Sequence, residues 1–371
     1  MVPSMTLPLV ATILPPREGF GPSTTGAIGT IARLFARAPG FRSLIITGSQ
    51  KGEAYADPPS LSVRPTPWRF GNVNIRYASA LTWHLARLRP ALIEVHNRPE
   101  LALWLARRFP VAPVILFLNN DPQEMRSART AAERATLLRT LARVATSSCY
   151  LRRRLLEGIA QPAAPAVVLP NPIDLAELPP PGARQPLILW AGRVTHEKGP
   201  DAFVAACAAA LVHLPGWRAE LIGADRFRID SPDTAFVRSV RTAAERAGIR
   251  MPGYQGREYV LEAMGRAAIA VVPSRWQEPF GLVALEALAS GAALVCSGRG
   301  GLRDVAGEAA LYADPDDTEA LATAIRMLAD DPARRSALAQ AGRERAKDFD
   351  APVIAARLAA LRHDVLAGRG G

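Results

Sequence analysis

The sequence predicts an α/β protein of two doubly wound domains, each a parallel sheet covered by helices. Three observations predict it. The chain has 371 residues, too many for one typical core. Short apolar runs alternate with helical patterns in both halves, as strand–helix–strand units require. A proline-rich stretch, Leu169 to Asp174 and on through Pro179-Pro180-Pro181-Gly182, reads as a linker between the halves. Domains over 1–180 and 181–351 follow, with a terminal helix over about 352–371.

In the first half the strands are expected at Leu7–Leu14, Arg42–Thr47, Ala91–His96, Pro113–Leu118 and Arg143–Ser147. Helices fall near Gly26–Ala38, Asn74–Leu88, Glu100–Arg108 and Ala131–Leu141. The stretch Met1–Leu14 is apolar but has no basic region before it, so it reads as a first strand and not as a signal peptide. In the second half the strands are expected at Pro186–Ala191, Arg218–Ile222, Ala268–Pro273, Ala292–Ser297 and Ala309–Ala313, each followed by a helix. Segments 318–348 and 352–367 read as charged, amphipathic helices. In such folds ligands collect at the carboxyl ends of the strands.

Composition narrows the class. A hydrophobic fraction of 49% supports a packed core and excludes disorder. No run reaches the roughly 18–20 apolar residues of a membrane span. Cys149, Cys207 and Cys296 form neither a metal pattern nor a disulfide framework, so a reducing cytoplasm is expected. The net charge of +11 is uneven. Residues 1–186 hold 22 Lys+Arg against 11 Asp+Glu, and residues 187–371 hold 23 of each. Nearly all the cations are arginine; the lysines are Lys51, Lys198 and Lys347.

The densest chemical signal is Ser274-Arg275-Trp276-Gln277-Glu278-Pro279-Phe280-Gly281-Leu282, running on through Glu286 to Gly291. Two carboxylates eight residues apart flank an apolar stretch, where an unpartnered charge would be costly. Pro279 suits a helix entry, because its missing N–H would be unpaired there anyway. Glu278 then lies in the loop before the helix. Phe280 and Gly281 open it, and Glu286 sits about two turns in. Free N–H groups at Phe280, Gly281 and Leu282 would attract phosphate or hydroxyl oxygens. Upstream, Gly192-Arg193-Val194-Thr195-His196-Glu197-Lys198-Gly199-Pro200 follows a strand, placing Arg193 and Lys198 beside a glycine turn. Two fixed cations there suit negative charge growing on a leaving oxygen. Glu197 is expected to cap or orient Lys198.

The first run resembles the Glu-x7-Glu signature of retaining family 4 glycosyltransferases, and the second is similar to their diphosphate site. The likeness spans essentially all of the second half and, more weakly, the first. It implies the GT-B arrangement: two facing Rossmann-like domains with a cleft between them, the terminal helix crossing back onto the first. The implied reaction moves a sugar from a nucleotide-diphosphate donor with retained anomeric configuration, without metal or cofactor. Arg193 and Lys198 neutralise the diphosphate. Glu278, with backbone donors near Phe280, Gly281 and Leu282, grips the sugar, and Glu286 holds the ribose. Gly256 and Arg257, ending Pro252-Gly253-Tyr254-Gln255-Gly256-Arg257, flank the base.

The loop Arg17-Glu18-Gly19-Phe20-Gly21-Pro22-Ser23-Thr24-Thr25-Gly26 fits neither a P-loop nor a dinucleotide fingerprint. In the family it approaches the donor phosphates, which implies backbone contact at Gly26. Glu94-Val95-His96-Asn97-Arg98 and Leu118-Asn119-Asn120-Asp121 resemble segments of bacterial cell-surface glycosyltransferases. The family's active-site His is replaced here by Asn119, whose amide can still hydrogen-bond a sugar. His96 and Asp121 are the fallback bases, with a structural strand-end histidine as the other reading of His96. His84, His213 and His363 read as structural. Asp314-Pro315-Asp316 looks like a metal motif, but Asp316 or Asp317 as a helix cap is the better reading. Gly300-Gly301 reads as a packing turn.

The first domain binds the acceptor in this family, and here it carries the positive charge. An anionic or lipid-linked acceptor is therefore expected, as in lipopolysaccharide, capsule or exopolysaccharide assembly, met at the inner face of the cell membrane. Arg152-Arg153-Arg154, beside Leu151, Leu155 and Leu156, is the expected contact with an acidic bilayer. No nucleic-acid partner is expected. The alternatives are a sugar-nucleotide epimerase of the same fold, or a degenerate binding subunit.

Overall fold

A computed structural model describes residues 7–22, 24–50, 52–67, 71–160, 166–180, 182–226 and 230–368. Met1 to Thr6 of the apolar start, Ser23 of the first loop, Lys51 and Pro181 of the linker lie outside the described residues. The chain divides into two compact units: residues 1–172 with 351–371, and residues 173–350.

The first unit is a seven-stranded parallel sheet. Its strands are β1 (Leu9–Ile13), β2 (Arg42–Thr47), β3 (Ser60–Ser62), β4 (Leu92–His96), β5 (Val114–Leu118), β6 (Arg143–Thr146) and β7 (Ala166–Val168). They lie in the order β3-β2-β1-β4-β5-β6-β7, so the order reverses between β1 and β4. The helices are α1 (Ala27–Phe35), α2 (Val73–Leu88), α3 (Pro99–Arg108), α4 (Ala131–Thr140) and α5 (Cys149–Leu156). Tyr77, Leu81 and Leu85 of α2, Leu101 and Leu105 of α3 and Leu155 of α5 share one core with Ile13, Ile93, Val95 and Leu116 of the sheet. Asn72 caps α2 and Thr130 forms a capping box with Glu133 on α4, satisfying the first N–H groups of each.

The second unit is a six-stranded parallel sheet. Its strands are β8 (Gln185–Ala191), β9 (Arg218–Ile222), β10 (Arg250–Gly253), β11 (Ala267–Val272), β12 (Ala293–Cys296) and β13 (Ala310–Tyr312). Their order, β10-β9-β8-β11-β12-β13, reverses between β8 and β11. Its helices are α6 (Pro200–Leu211), α7 (Ala235–Arg246), α8 (Arg257–Arg266), α9 (Leu282–Ser290), α10 (Leu302–Ala306), α11 (Thr318–Asp330) and α12 (Pro332–Lys347). The expected helix 318–348 is two helices. Pro332 cannot continue the first, so Asp331 ends α11 and its side chain accepts the Arg334 N–H to start α12.

The last helix, α13 (Ala351–Leu366), belongs to the first unit, where it packs against α1. Arg362 is fully buried and holds Glu94 of β4 through two bonds of 2.8 Å; Thr12 donates to the same carboxylate at 3.0 Å. The proline-rich segment is not a loose linker. Ile173 donates to the Phe349 carbonyl at 2.9 Å, and a 3₁₀ turn spans Leu175–Glu177. The units therefore divide at Pro172, ahead of the expected 180.

The three short strands β3, β7 and β10 have no counterpart in the sequence reading. Each has three or four residues. Drawing the boundary at the chain's own units sharpens the charge asymmetry. The first unit holds 24 Lys+Arg against 10 Asp+Glu, net +14, and the second is net −3.

Candidate active site

The second unit's site forms where its strand order reverses, between the ends of β8 and β11. After β8 the chain turns through Gly192-Arg193 into a single 3₁₀ turn, His196–Lys198. Gly199 closes that turn at φ +67°, and any Cβ there would strike the Pro273 carbonyl. The turn and the β11–α9 loop are thereby packed backbone to backbone. The Glu197 carbonyl ties them further, accepting from Arg275 N (2.8 Å) and Trp276 N (3.1 Å). Glu197 acts through this carbonyl; its side chain is exposed and does not orient Lys198 as expected.

Lys198 Nζ lies 2.6 Å from Glu278 Oε1, with the two side chains 22% and 8% exposed. Ser274 Oγ donates to the same oxygen at 2.8 Å. The Lys198 ammonium also sits 4.8 Å from the Trp276 ring centroid. Two donors on a nearly buried carboxylate hold its side chain in one place. Gly301 N donates to the Glu278 carbonyl at 2.6 Å, so Gly300-Gly301 packs on the site as a turn. Ser274 was quoted in the sequence motif without a role; its place directly after β11 was the available signal.

Helix α9 begins at Leu282, two residues later than expected. Gly281 takes φ +104°, outside the helical region, and a Cβ there would meet Leu302 Cδ2 at 2.6 Å. Phe280 is buried against Phe349 and is core, not helix opening. The N-cap is a glycine, so no side chain caps the first turn of α9. Glu286 sits on this helix with its side chain 15% exposed. Burial raises its pKa, and Arg257 opposes the shift by donating directly to Glu286 Oε1. Gly256 is the N-cap of α8 and Arg257 its first residue. Arg193, on the turn after β8, is half-buried.

The Asp-x-Asp pair is engaged by arginines. Arg299 reaches Asp314 (2.9 Å) and Asp316 (3.0 Å), Arg275 reaches Asp316 (2.6 Å), and Asp317 caps α11. Among the described residues no group of three His, Cys, Asp or Glu converges as a metal site.

In the first unit the expected residues separate. His96 is fully buried, stacked on Phe117 with centroids 4.9 Å apart. Neither ring nitrogen has a partner, and burial lowers its pKa to about 4, only partly opposed by Glu94. It is a core histidine and not a base at the site. Asp121, the other fallback, accepts from Gln123 N and pairs with Arg154 at 2.7 Å. Asn119 is half-buried at the end of β5; its N–H donates to Asn97 Oδ1 at 2.7 Å, and its Nδ2 has no partner. The Gly26 N–H does not await a phosphate. It donates to Glu18 Oε1 at 3.0 Å, and Gly29 N donates to the same oxygen at 3.3 Å. The Arg152–Arg154 segment also departs from expectation. Leu151 and Leu155 of α5 are buried in the core, so they offer nothing to a bilayer.

Two doubly wound units, one with paired Lys and Glu at its strand reversal, define an α/β protein of two Rossmann-like domains. Comparisons place it further. The profile of "Glycosyl transferases group 1" matches residues 179–345, and that of "Glycosyltransferase Family 4" matches residues 28–177. The chain belongs to the family 4 glycosyltransferases of GT-B fold. It is 33% identical over 237 residues to a glycogen synthase of Mycobacterium tuberculosis, covering 62% of this chain and 56% of that protein. The matched stretch thus spans little more than half of that relative's length. It is 29% identical over 305 residues to the lipopolysaccharide core biosynthesis mannosyltransferase LpsB of Rhizobium meliloti, covering 74% of this chain and 84% of that one. Anabaena HepE, solved in complex with UDP, shares the fold with a TM-score of 0.75 at 16% identity, over 95% of this chain and 99% of that chain.

Proposed function

We propose that this chain is a retaining glycosyltransferase that moves a hexose from a nucleotide-diphosphate sugar to an anionic or lipid-linked glycan acceptor. The setting proposed is lipopolysaccharide, capsule or exopolysaccharide assembly at the cytoplasmic face of the membrane, with no metal and no cofactor. The observation that carries the reading is the Lys198–Glu278–Ser274 cluster where β8 and β11 diverge, with Arg193 on the adjoining turn and Glu286 on α9. UDP in HepE supports a nucleotide-diphosphate donor. LpsB supports a cell-surface acceptor.

In this reading the bond from the anomeric carbon to the diphosphate oxygen breaks as the acceptor hydroxyl attacks the same face. The acceptor's proton passes to the departing diphosphate, so no protein base is needed. Arg193 and Lys198 stabilise the charge that grows on the leaving oxygen. Lys198 is already held by Glu278, so little reorganisation remains at the moment of reaction. Glu278 and the backbone from Phe280 to Leu282 grip the sugar, Glu286 holds the ribose, and Gly256 and Arg257 flank the base. Asn119 hydrogen-bonds the sugar from the first unit. Gly26 and His96 have no part in it, since one N–H is taken and the other ring is buried. The arginines on Asp314 and Asp316 support the metal-free reading. The net charge of +14 on the first unit supports an anionic acceptor or surface.

Calorimetry with UDP and UDP-glucose tests the assignment. Glu286→Ala is expected to weaken both ligands. Glu278→Ala is expected to spare UDP and weaken the intact sugar nucleotide. Equal loss of UDP in the two variants would remove the division of roles. Turnover is expected to survive a chelator; activity abolished by it and restored by a divalent ion would overturn the metal-free mechanism.

A further inference from the structure

The first sheet has its own strand reversal, between β1 and β4, and a cavity of about 410 Å³ opens there. That size falls in the range of small-molecule sites. Its wall carries Arg17 from beyond β1, Asn97, Arg98 and Glu100 from the β4–α3 junction, and Glu124 and Arg126 from beyond β5.

Asn97 is 2% exposed. Its Oδ1 accepts the Asn119 N–H, and a backbone N–H can only donate, so the amide's orientation is fixed by chemistry. Its Nδ2 is therefore a buried donor, and it has no acceptor. The Asn119 Nδ2 is buried and unpartnered in the same way. Native structures rarely leave such groups unpaired, because the lost hydrogen bond is not recovered elsewhere. Arg98 Nη1 is anchored to the Asn97 carbonyl at 2.7 Å, which holds its guanidinium at this wall.

The acids of the wall are of two kinds. The Glu100 carboxylate takes amide donors from Asn72 and Asn74 at 3.0–3.3 Å. Glu124 is exposed. Three guanidiniums, the unpartnered Asn97 amide donor and carboxylates within one cavity suit a ligand with both an acid group and hydroxyls. Guanidinium forks match an oxyanion, and amides and carboxylates match hydroxyls. A neutral sugar gives the guanidinium forks no oxyanion to clasp. An alkyl phosphate gives the carboxylates nothing to accept.

We propose that this cavity binds an acidic sugar residue of the acceptor, bearing a carboxylate or a phosphate, and that Arg98 and Arg126 select it. The proposal rests on the first unit being the acceptor side of a glycosyltransferase. Ligand-observed NMR titrations of the full chain with glucuronate, glucose 6-phosphate, methyl glucoside and inorganic phosphate test it, with UDP titrated in parallel. One of the two acidic sugars is expected to bind at least roughly tenfold more tightly than methyl glucoside. Arg98→Gln and Arg126→Gln are each expected to weaken it about tenfold or more, the worth of one charge-assisted bond. UDP binding should stay unchanged in both. Arg126 is exposed, so its variant reports on the site even if the Arg98 variant folds poorly. Three results would overturn the proposal: methyl glucoside binding as well as the acids, unchanged acid binding in Arg126→Gln, or inorganic phosphate matching glucose 6-phosphate, which marks an ion site only. A chain that takes the acidic sugar but not UDP would uphold this cavity and sink the glycosyltransferase reading.

Discussion

The two sheets reverse their strand order at equivalent places, between β1 and β4 and between β8 and β11, yet the two reversals are furnished differently. At the second, the charged groups are paired before any ligand arrives: Lys198 with Glu278, Glu286 with Arg257, Arg275 and Arg299 with Asp316. At the first, the Asn97 and Asn119 side-chain nitrogens have no acceptor, and the cations of the wall lie beside a cavity. The difference teaches what each site is prepared for. A pre-paired site offers one fixed charge arrangement and suits a ligand whose charged part never varies. A site with spare donors is completed by its ligand and can be retuned by changing a few side chains.

The hidden anchor of the first unit is the place to break this comparison most forcefully. Arg362→Met leaves the Glu94 carboxyl group buried without its ion pair, a loss of about 3–5 kcal/mol. Urea unfolding is expected to show it, and Glu94→Leu combined with Arg362→Met should recover most of it. A single-variant loss below about 1 kcal/mol would mean that the pair does not anchor α13.

The pre-paired site is expected to fail in chemistry and not in folding. Arg193→Ala or Lys198→Ala should lower turnover by roughly 10²–10³, with the melting temperature little changed. Undiminished turnover in either variant removes that residue from the site.

His96 sharpens the contrast through pH. Its folded pKa of about 4 lies below the ordinary 6.5, so between those values the unfolded chain holds the extra proton. Stability is therefore expected to fall as pH drops through that window, by on the order of 3 kcal/mol in total. In His96→Phe that part of the slope should vanish, while activity at neutral pH persists. Loss of activity at neutral pH in a folded His96→Phe would return His96 to the catalytic set.

Asn119→Ala is the smallest effect expected. One hydrogen bond to the sugar is worth about 1 kcal/mol, so turnover should fall roughly fivefold. A thousandfold loss would show that the amide does more than hold a hydroxyl.

Much of this was readable from residues alone. Apolar strands such as Val114–Leu118 and Ala267–Val272 were legible because buried parallel strands are apolar on both faces. The Lys198–Glu278 site was legible because its residues fall in two unbroken motifs at strand ends. What escaped depends on contacts that no motif or periodicity encodes. Nothing near Gly26 announces that Glu18 will occupy its N–H, and nothing near His96 says that Phe117 will stack on it. The helix opening at Leu282 was misplaced because Pro279 is a start signal, whereas Gly281 needs a positive φ that only packing on Leu302 explains.

The joining of Glu94 to Arg362, residues 268 positions apart, also dictates an order of synthesis. The second unit is one continuous stretch of chain, and all its strands leave the ribosome before α13 does. The first unit is made earlier but finished later. Through the translation of residues 173–350 its β4 carries an acid whose cation has not yet been made. The unit begun first is thus the last to be sealed.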